Sequence, residues 1–272
     1  MAHRTTAMNP AAAAVFPPGR ALRLDAGRAL AGTALVLSCV AGGVALAGGL
    51  GTDYPLKALL AYALGAALVW RGLALGGHPH ARFGAANRVT LARLAGMALV
   101  AALLGEAVPA EPPSAQPVGG WALIVFATVV AVLDAADGAL ARRQGLASRF
   151  GARFDMETDA AFMLVLCALV WQAGQAGPWV LASGLMRYAF VAAAAFLPWL
   201  AGPLPPSVRR QAVCVVQITA LIVCLGPIVP APLASAIAAL SLLLLAASFA
   251  IDIRYLQRHI ARQRHHPEEN RA

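Results

Sequence analysis

Long apolar runs recur along the whole chain, separated by short segments rich in Gly, Pro and Arg. An α-helix needs about 20 apolar residues to cross the roughly 30 Å hydrocarbon core of a bilayer, which is about the length of each run. The eight runs are 29–50, 55–75, 89–104, 120–141, 152–172, 178–201, 208–225 and 232–251. With 60% hydrophobic and 12% charged residues, the chain is more apolar than water-soluble domains are. The sequence predicts an all-α integral membrane protein with about eight transmembrane helices.

Basic residues are concentrated in the segments between alternate runs. The formal net charge is +9, and apart from Lys57 and Arg187 the basic residues fall on one side of the predicted membrane. Because Lys and Arg are enriched in cytosolic loops, this side is expected to face the cytosol, together with both termini. The basic residues do not form a separate soluble module, so no nucleic-acid partner is expected.

Four of the seven aspartates lie between positions 134 and 159. Asp134 and Asp137 are three residues apart on the fourth run, and Asp155 and Asp159 are four apart on the fifth, so each pair shares a helical face. The short basic segment between them predicts an antiparallel hairpin with its tip near Leu146. In that hairpin Asp137 lies level with Asp155, and Asp134 lies level with Asp159.

This acidic cluster is expensive unless cations balance it. An ionised Asp at the bilayer centre costs about 2.5 to 3.5 kcal/mol on insertion scales, and carboxylates this close cannot all stay ionised alone. An all-oxygen ligand set suits Mg²⁺ or Mn²⁺. We therefore expect a two-metal site formed by Asp134, Asp137, Asp155 and Asp159.

Small and basic residues accompany the aspartates at fixed spacing. Gly138, Ala141 and Gly151 leave room for a ligand or a neighbouring backbone, and Arg142 is placed to meet a phosphate. The full pattern is Asp134-x-x-Asp137-Gly138-x-x-Ala141-Arg142, eight residues, then Gly151-x-x-x-Asp155-x-x-x-Asp159. It resembles the signature of the CDP-alcohol phosphatidyltransferases at every fixed position. Upstream, Asn87-Arg88-Val89-Thr90-Leu91-Ala92-Arg93 is similar to the Asn-x-x-Thr-x-x-Arg that opens the first core helix of that family.

The resemblance implies a domain layout and an activity. A cytosolic tail (1–28) and two additional transmembrane helices (29–76) precede a six-helix catalytic core (77–259) and a second cytosolic tail (260–272). The activity implied is transfer of a phosphatidyl group from a CDP-linked lipid, usually CDP-diacylglycerol, to an alcohol with release of CMP, in phospholipid biosynthesis. A homodimer in a bacterial inner membrane, with the active site facing the cytosol, is also implied.

The resemblance also assigns roles to individual residues. Asp134, Asp137 and Asp155 are implied to be metal ligands, and Asp159 a ligand and the general base. The residues implied to contact substrate are Asn87, Thr90, Gly138, Ala141, Arg142 and Gly151. Asn87 also suits a plain helix N-cap.

Several basic residues have two interpretations each. Arg187 lies within a predicted span and either binds the acceptor phosphate or the aspartates, or extends its guanidinium toward the cytosol. Arg153 either contacts a substrate phosphate or anchors the hairpin. Arg209 and Arg210 either anchor the seventh span or bind a phosphorylated acceptor. His78 and His80 have no partners at ligand spacing and are predicted to be loop residues.

The motif leaves the acceptor open among glycerol phosphate, serine, inositol, inositol phosphate and phosphatidylglycerol. Other functions for intramembrane aspartates are less well matched. A magnesium-dependent prenyltransferase needs two Asp-rich motifs on well-separated helices, whereas the four clustered aspartates lie on one hairpin. A cation-coupled or proton-coupled transporter accounts for the aspartates and Arg187 but not for the Gly, Ala and Arg between them.

Overall fold

The described part of the chain contains eight α-helices, as the apolar runs predicted. The computed structural model of the chain describes residues 19–75, 78, 80, 82–106, 120–144 and 148–265, without the side chains of 134–144 and 259–265. These residues contain no strand. The helices are α1 (Arg20–Gly48), α2 (Tyr54–Ala74), α3 (Ala85–Ala101), α4 (Trp121–Gln144), α5 (Arg149–Gln172), α6 (Leu181–Phe196), α7 (Val208–Cys224) and α8 (Ala231–His265).

Among the described residues, four helical segments are long and apolar enough to cross a membrane. They are Arg20–Gly48, Tyr54–Ala74, Pro178–Phe196 and Ala231–Arg258. The 17-residue helices α3 and α7 are shorter than a full span, and α5 carries charged residues in its first half. The apolar helices indicate an integral membrane protein, with four of the eight predicted spans identified by length and composition.

Three helices, α1, α3 and α5, begin three or more residues before their apolar runs. α1 starts at Arg20, so its first turns lie in the segment predicted as a tail, where Ala, Leu and Arg are good helix formers. α5 starts at Arg149 with Ser148 as its N-cap, whose hydroxyl oxygen accepts a hydrogen bond from the Gly151 N–H at 3.0 Å. Helix propensity at the start of α1 and the Ser148 cap at the start of α5 explain these positions, which hydropathy does not predict.

α5 lies at the centre of the bundle and packs against α2, α3, α6 and α7. In its second half Leu166, Cys167 and Leu169 have no exposed surface. α6 approaches very closely at Gly184, where an added Cβ would lie only 2.6 Å from the Cα of Leu164. The acidic first half of α5 is thus continuous with a second half that is buried and closely packed.

α1 and α2, the two helices predicted to be additional to the core, pack against α3. The Tyr54 hydroxyl donates to the Leu99 carbonyl at 3.0 Å. Gly65 of α2 faces Leu94 of α3, and a Cβ there would lie 2.7 Å from a Leu94 methyl group. α1 contacts both α2 and α3. Both helices therefore share an interface with α3.

α1, α3 and α5 begin at the same end of the bundle, where α2 ends. The Phe83 N–H, just before α3, donates to Asp25 of α1, and Gly72 near the end of α2 lies against the Phe150 ring at the start of α5. We call this the site end. At the opposite end, Lys57 forms ion pairs with Asp53 at 2.7 Å and with Glu106 at 2.6 Å.

Candidate functional site

Asp155 and Asp159 share one face of α5, as their spacing predicted, and both pair with Arg93 of α3. Arg93 Nη1 donates to Asp155 Oδ1 at 2.6 Å, and Nη2 donates to Asp159 Oδ1. The Arg93 side chain is only 2% exposed, against 38% for Asp155 and 21% for Asp159. The two carboxylates therefore extend from a buried guanidinium toward a more open region.

Arg93 is a site residue for which the sequence analysis predicted no role, although it closes the Asn-x-x-Thr-x-x-Arg motif. Asn87, Thr90 and Arg93 recur at intervals of three, which places them along one side of α3, and all three are buried. A buried guanidinium requires counter-charges, and the two aspartates supply them. Three polar positions in the first half of an apolar helix were the signal that could have identified it.

Asn87 is not the N-cap of α3, so the capping interpretation is wrong. The N-cap is Gly84, and Asn87 lies inside the first turn, where its Nδ2 donates to the Phe83 carbonyl at 2.5 Å. Asn87 Oδ1 faces α5, and a Cβ added to Gly151 would lie 2.9 Å from it. Gly151 was predicted to let another group come close to the backbone of α5, and in the structure that group is the Asn87 side chain.

Two further candidate residues differ in their surroundings. Thr90 is buried, and its hydroxyl donates to the Ala86 carbonyl at 3.2 Å. Arg153 is exposed at the site end. The structure thus brings Asn87, Thr90 and Gly151 to the same helix interface as the aspartates, whereas Arg153 lies at its surface.

Arg187 of α6 pairs with Glu157, whose carboxylate Oε1 lies 2.5 Å from Arg187 Nη2. Glu157 follows Asp155 by two residues, which is about 200° around a helix, so it projects from the far side of α5. In the structure, Arg187 therefore pairs with Glu157 and not with Asp155 or Asp159.

Arg209 and Arg210 at the start of α7 both contact Asp252 of α8. Arg209 Nη2 lies 2.5 Å from Asp252 Oδ1, and Arg210 Nη1 lies 3.4 Å from the same atom. Arg209 also donates to the Ser248 carbonyl at 2.8 Å. These bonds join the two last helices at the site end, which fits the anchoring interpretation.

The remaining candidates lie on α4, whose backbone is helical from Trp121 to Gln144. They are Asp134, Asp137, Gly138, Ala141 and Arg142. Their side chains, and the predicted hairpin tip at Leu146, fall outside the described part of the chain. The predicted levels of the four aspartates relative to one another stay a prediction.

The described half of the acidic cluster has the chemistry of a site for a hard cation. Within the described residues, no group of three or more His, Cys, Asp or Glu side chains could hold a metal ion. Asp155 and Asp159 nevertheless present carboxylate oxygens from one helical face, and Mg²⁺ and Mn²⁺ prefer oxygen ligands. Their pairing with Arg93 also shows that positive charge is stabilised at this position.

His78, predicted to be a loop residue without partners at ligand spacing, lies outside the helices and contacts the start of α5. Its Nε2 lies 2.8 Å from the Arg82 carbonyl and its Nδ1 lies 3.0 Å from the Ser148 hydroxyl. Because a carbonyl only accepts, Nε2 carries the hydrogen, and the neutral ring accepts at Nδ1 from Ser148. Desolvation lowers the pKa of His78, and the bond to the Arg82 carbonyl partly offsets this. A neutral His78 thus helps to hold the segment that carries Gly151.

Comparison with known families gives a match over most of the helix bundle. A family model for CDP-alcohol phosphatidyltransferase matches residues 83–251, well over half of the 272 residues. The match begins just before α3 and ends in α8, so it contains the Arg93, Asp155 and Asp159 cluster and excludes α1 and α2. Comparison with curated proteins and with solved structures gives no match.

Proposed function

Because the chain belongs to the CDP-alcohol phosphatidyltransferase family, we propose that it transfers a phosphatidyl group from CDP-diacylglycerol to an alcohol with release of CMP. The family consists of membrane transferases of phospholipid biosynthesis that act on CDP-alcohols and an acceptor alcohol, and it generally uses divalent metals. The observation that carries the proposal is the arrangement of Asp155 and Asp159 around Arg93, where the two family motifs meet.

Asp134, Asp137, Asp155 and Asp159 would hold two Mg²⁺ or Mn²⁺ ions. When bound, the ions would neutralise the diphosphate of the CDP-lipid and the phosphate of the leaving CMP. Arg93 fixes the carboxylates of Asp155 and Asp159 side by side before any ion arrives, which lowers the reorganisation that binding requires. The same bonds hold both carboxylates beside Arg93.

Asp159 is proposed as the general base. One of its carboxylate oxygens accepts the proton of the acceptor hydroxyl. At the same time, the hydroxyl oxygen of the acceptor forms a bond to the phosphorus that carries diacylglycerol. The bond from this phosphorus to the CMP oxygen breaks, and CMP leaves with the electron pair. Asp159 is less exposed than Asp155, which suits a group that must receive a proton from the acceptor and not from bulk water.

The nucleotide is proposed to lie between the starts of α3 and α5 and the last turns of α4. Asn87 and Thr90 line the α3 side, Gly151 keeps the α5 backbone close, and Gly138, Ala141 and Arg142 contact the CDP group by family resemblance. Arg153 is exposed at the same end and is proposed to meet a substrate phosphate. Arg187 would have to leave Glu157 to bind an acceptor phosphate, so that role stays a prediction.

The site end is proposed to face the cytosol of a bacterial cell, with the protein in the inner membrane as a homodimer. The arginines near the starts of α1, α3, α5 and α7 support this orientation, because basic residues are retained on the cytosolic side. CDP-lipids that carry their nucleotide in the cytosol could then enter from the bilayer with their acyl chains still in lipid.

CMP release by the purified protein in detergent tests the proposal. The assay contains CDP-diacylglycerol, Mg²⁺ or Mn²⁺ and one of the five candidate alcohols at a time. We expect release that depends on metal, is stimulated by one alcohol, and falls at least a hundredfold in Asp159→Asn. Glu157→Gln is the matched control, because it removes a carboxylate from the same helix on the other face, and it should retain activity. Equal losses in the two variants, or no release by folded wild-type protein, would contradict the proposal.

A further inference from the structure

One carboxylate of α1 reaches the beginning of α3. Asp25 Oδ2 accepts a hydrogen bond from the Phe83 N–H at 2.8 Å, and Asp25 Oδ1 pairs with Arg88 Nη2 at 2.6 Å. Both partners lie within residues 83–251, which match the family, whereas Asp25 lies before them. An added helix therefore supplies a charged contact to the element on which Asn87, Thr90 and Arg93 lie.

Phe83 connects Asp25 to Asn87 through its own peptide groups. Its N–H donates to Asp25, and its carbonyl accepts from Asn87 Nδ2 at 2.5 Å. The Phe83 ring is completely buried, with its centroid 6.3 Å from that of Phe150 on α5. The residue is therefore held at both its backbone and its side chain. Asn87 is oriented by this contact, with Oδ1 directed toward Gly151.

The first turn of α3 follows a glycine and has no side-chain cap. Gly84, its N-cap, has a φ of 87°, a left-handed conformation that glycine adopts without strain, and no side chain caps the helix. The N–H groups at a helix start need partners outside the helix. Phe83 precedes this glycine, and the hydrogen bond from Phe83 to Asp25 restricts rotation about the Gly84 backbone.

We propose that Asp25 is a positioning residue for the nucleotide end of the site, acting through Phe83 on Asn87. α1 thereby contributes to a site whose other proposed residues all lie within the matched residues 83–251. The inference rests on the proposed function, in which Asn87 helps to bind the CDP group. Its consequence is that affinity for the nucleotide depends on a helix that lies outside the matched core.

The test compares Asp25→Ala and Asp25→Asn with a matched control, Tyr54→Phe. Tyr54 also joins an added helix to α3, but it does so at the opposite end, through the Leu99 carbonyl. The measurements are the Kd of CMP in the presence of Mg²⁺ by calorimetry, KM and kcat for CDP-diacylglycerol, Tm, and amide hydrogen exchange at residues 83–88.

For Asp25→Ala we expect the CMP Kd and the KM to rise on the order of tenfold, a loss of about 1.4 kcal/mol in binding, with kcat within a factor of two. Exchange at residues 83–88 should accelerate. Asp25→Asn keeps an acceptor for the Phe83 N–H but loses the charge, so its effect should be smaller. Tyr54→Phe should leave the Kd, the KM and this exchange unchanged.

Two outcomes overturn the inference. Faster exchange with wild-type CMP affinity would mean that Asp25 only anchors α1, and a lower Tm and lower kcat with unchanged KM would mean a purely structural role. If Asp25→Ala does not fold, Asp25→Asn together with Arg88→Gln decides between the same outcomes. A folded wild-type protein that binds no CMP would refute the proposed function itself, whereas normal CMP binding in every variant would refute this inference alone.

Discussion

At the scale of single residues, Arg93 is the position on which the described half of the site depends. Its guanidinium is buried between two carboxylates that would otherwise repel each other. Removing one partner of a buried ion pair costs roughly 3 to 5 kcal/mol, and partial exposure of both aspartates favours the lower end of that range. Arg93→Met should therefore destabilise the fold by about 3 kcal/mol, as measured by thermal unfolding in detergent.

Arg93→Lys separates charge from geometry at the same position. A lysine keeps one positive charge but cannot donate to both aspartates in the parallel arrangement of a guanidinium. We expect Lys to recover part of the stability lost in Arg93→Met but to leave CMP release at least tenfold below wild type. Wild-type activity in Arg93→Met would show that the aspartates need no positioning by α3.

Gly151 is the second residue at which a small change should have a large effect. An alanine Cβ there would lie 2.9 Å from Asn87 Oδ1 and 3.3 Å from Ser148 Oγ. Gly151→Ala should force Asn87 away, lower stability by about 1 to 3 kcal/mol, and weaken CMP binding.

Gly42→Ala in α1 is the matched control for this substitution. Gly42 is also helical, but nothing lies within 4 Å of the added Cβ, so alanine should be neutral or stabilising by its helix propensity. If Gly151→Ala is tolerated and the CMP affinity is unchanged, the proposed location of the nucleotide at the α3–α5 interface is wrong.

At the scale of elements, apolar runs predicted all eight helices, because a helix that meets lipid must be apolar over much of its length. They could not predict where α1 and α5 begin, since those turns are polar. Asp25 in the first turns of α1 is held by Arg88 and Phe83, which lie about 60 positions away along the sequence. Contacts between such distant segments leave no periodic signal in the chain.

The same reasoning separates what could and could not be predicted of the site. The spacing of Asp155 and Asp159 fixes their shared face, because that is a property of one helix. The partner of Glu157 on α6 and the partner of both aspartates on α3 depend on how helices pack. The sequence therefore showed that Arg187 and Arg93 lie within apolar helices, but only the packing of the helices identifies their acidic partners.

The contact between His78 and the first turn of α5 predicts a dependence of stability on pH. Burial holds the pKa of His78 below its ordinary value of about 6.5, with the His80 ring 5.4 Å away as an additional positive neighbour when charged. The unfolded chain therefore takes up a proton before the folded one does, and stability falls as the pH drops below about 6.5. Tm should decline between pH 7 and pH 5.5.

His78→Asn tests this assignment. The variant cannot titrate at this position, so its Tm should change less over the same pH interval, even if its Tm at pH 7 is lower through loss of the Ser148 contact. An identical pH dependence in the two proteins would assign the effect to other groups.

At the scale of the whole molecule, the charge distribution predicts how the protein lies in its membrane. Exposed Arg149 marks the site end, whereas Thr52 is exposed at the opposite end near Lys57 and Asp53. In a variant without the native cysteines 39, 167, 214 and 224, Thr52→Cys should react with a membrane-impermeant maleimide added to intact cells. Arg149→Cys should react only after the membrane is opened; the reverse pattern would invert the proposed orientation.

The whole molecule combines a membrane helix bundle with a carboxylate cluster on one face of its central helix, and transfer between lipid and alcohol is the reaction that this combination is proposed to serve. The most direct measurement is a product balance in lipid vesicles that contain the protein, CDP-diacylglycerol and the stimulating alcohol. We predict that CMP and one new phospholipid appear in equal amounts, that a chelator stops both, and that Mg²⁺ restores both. CMP release without a new phospholipid, or product formation that is indifferent to the chelator, would contradict phosphatidyl transfer at this site.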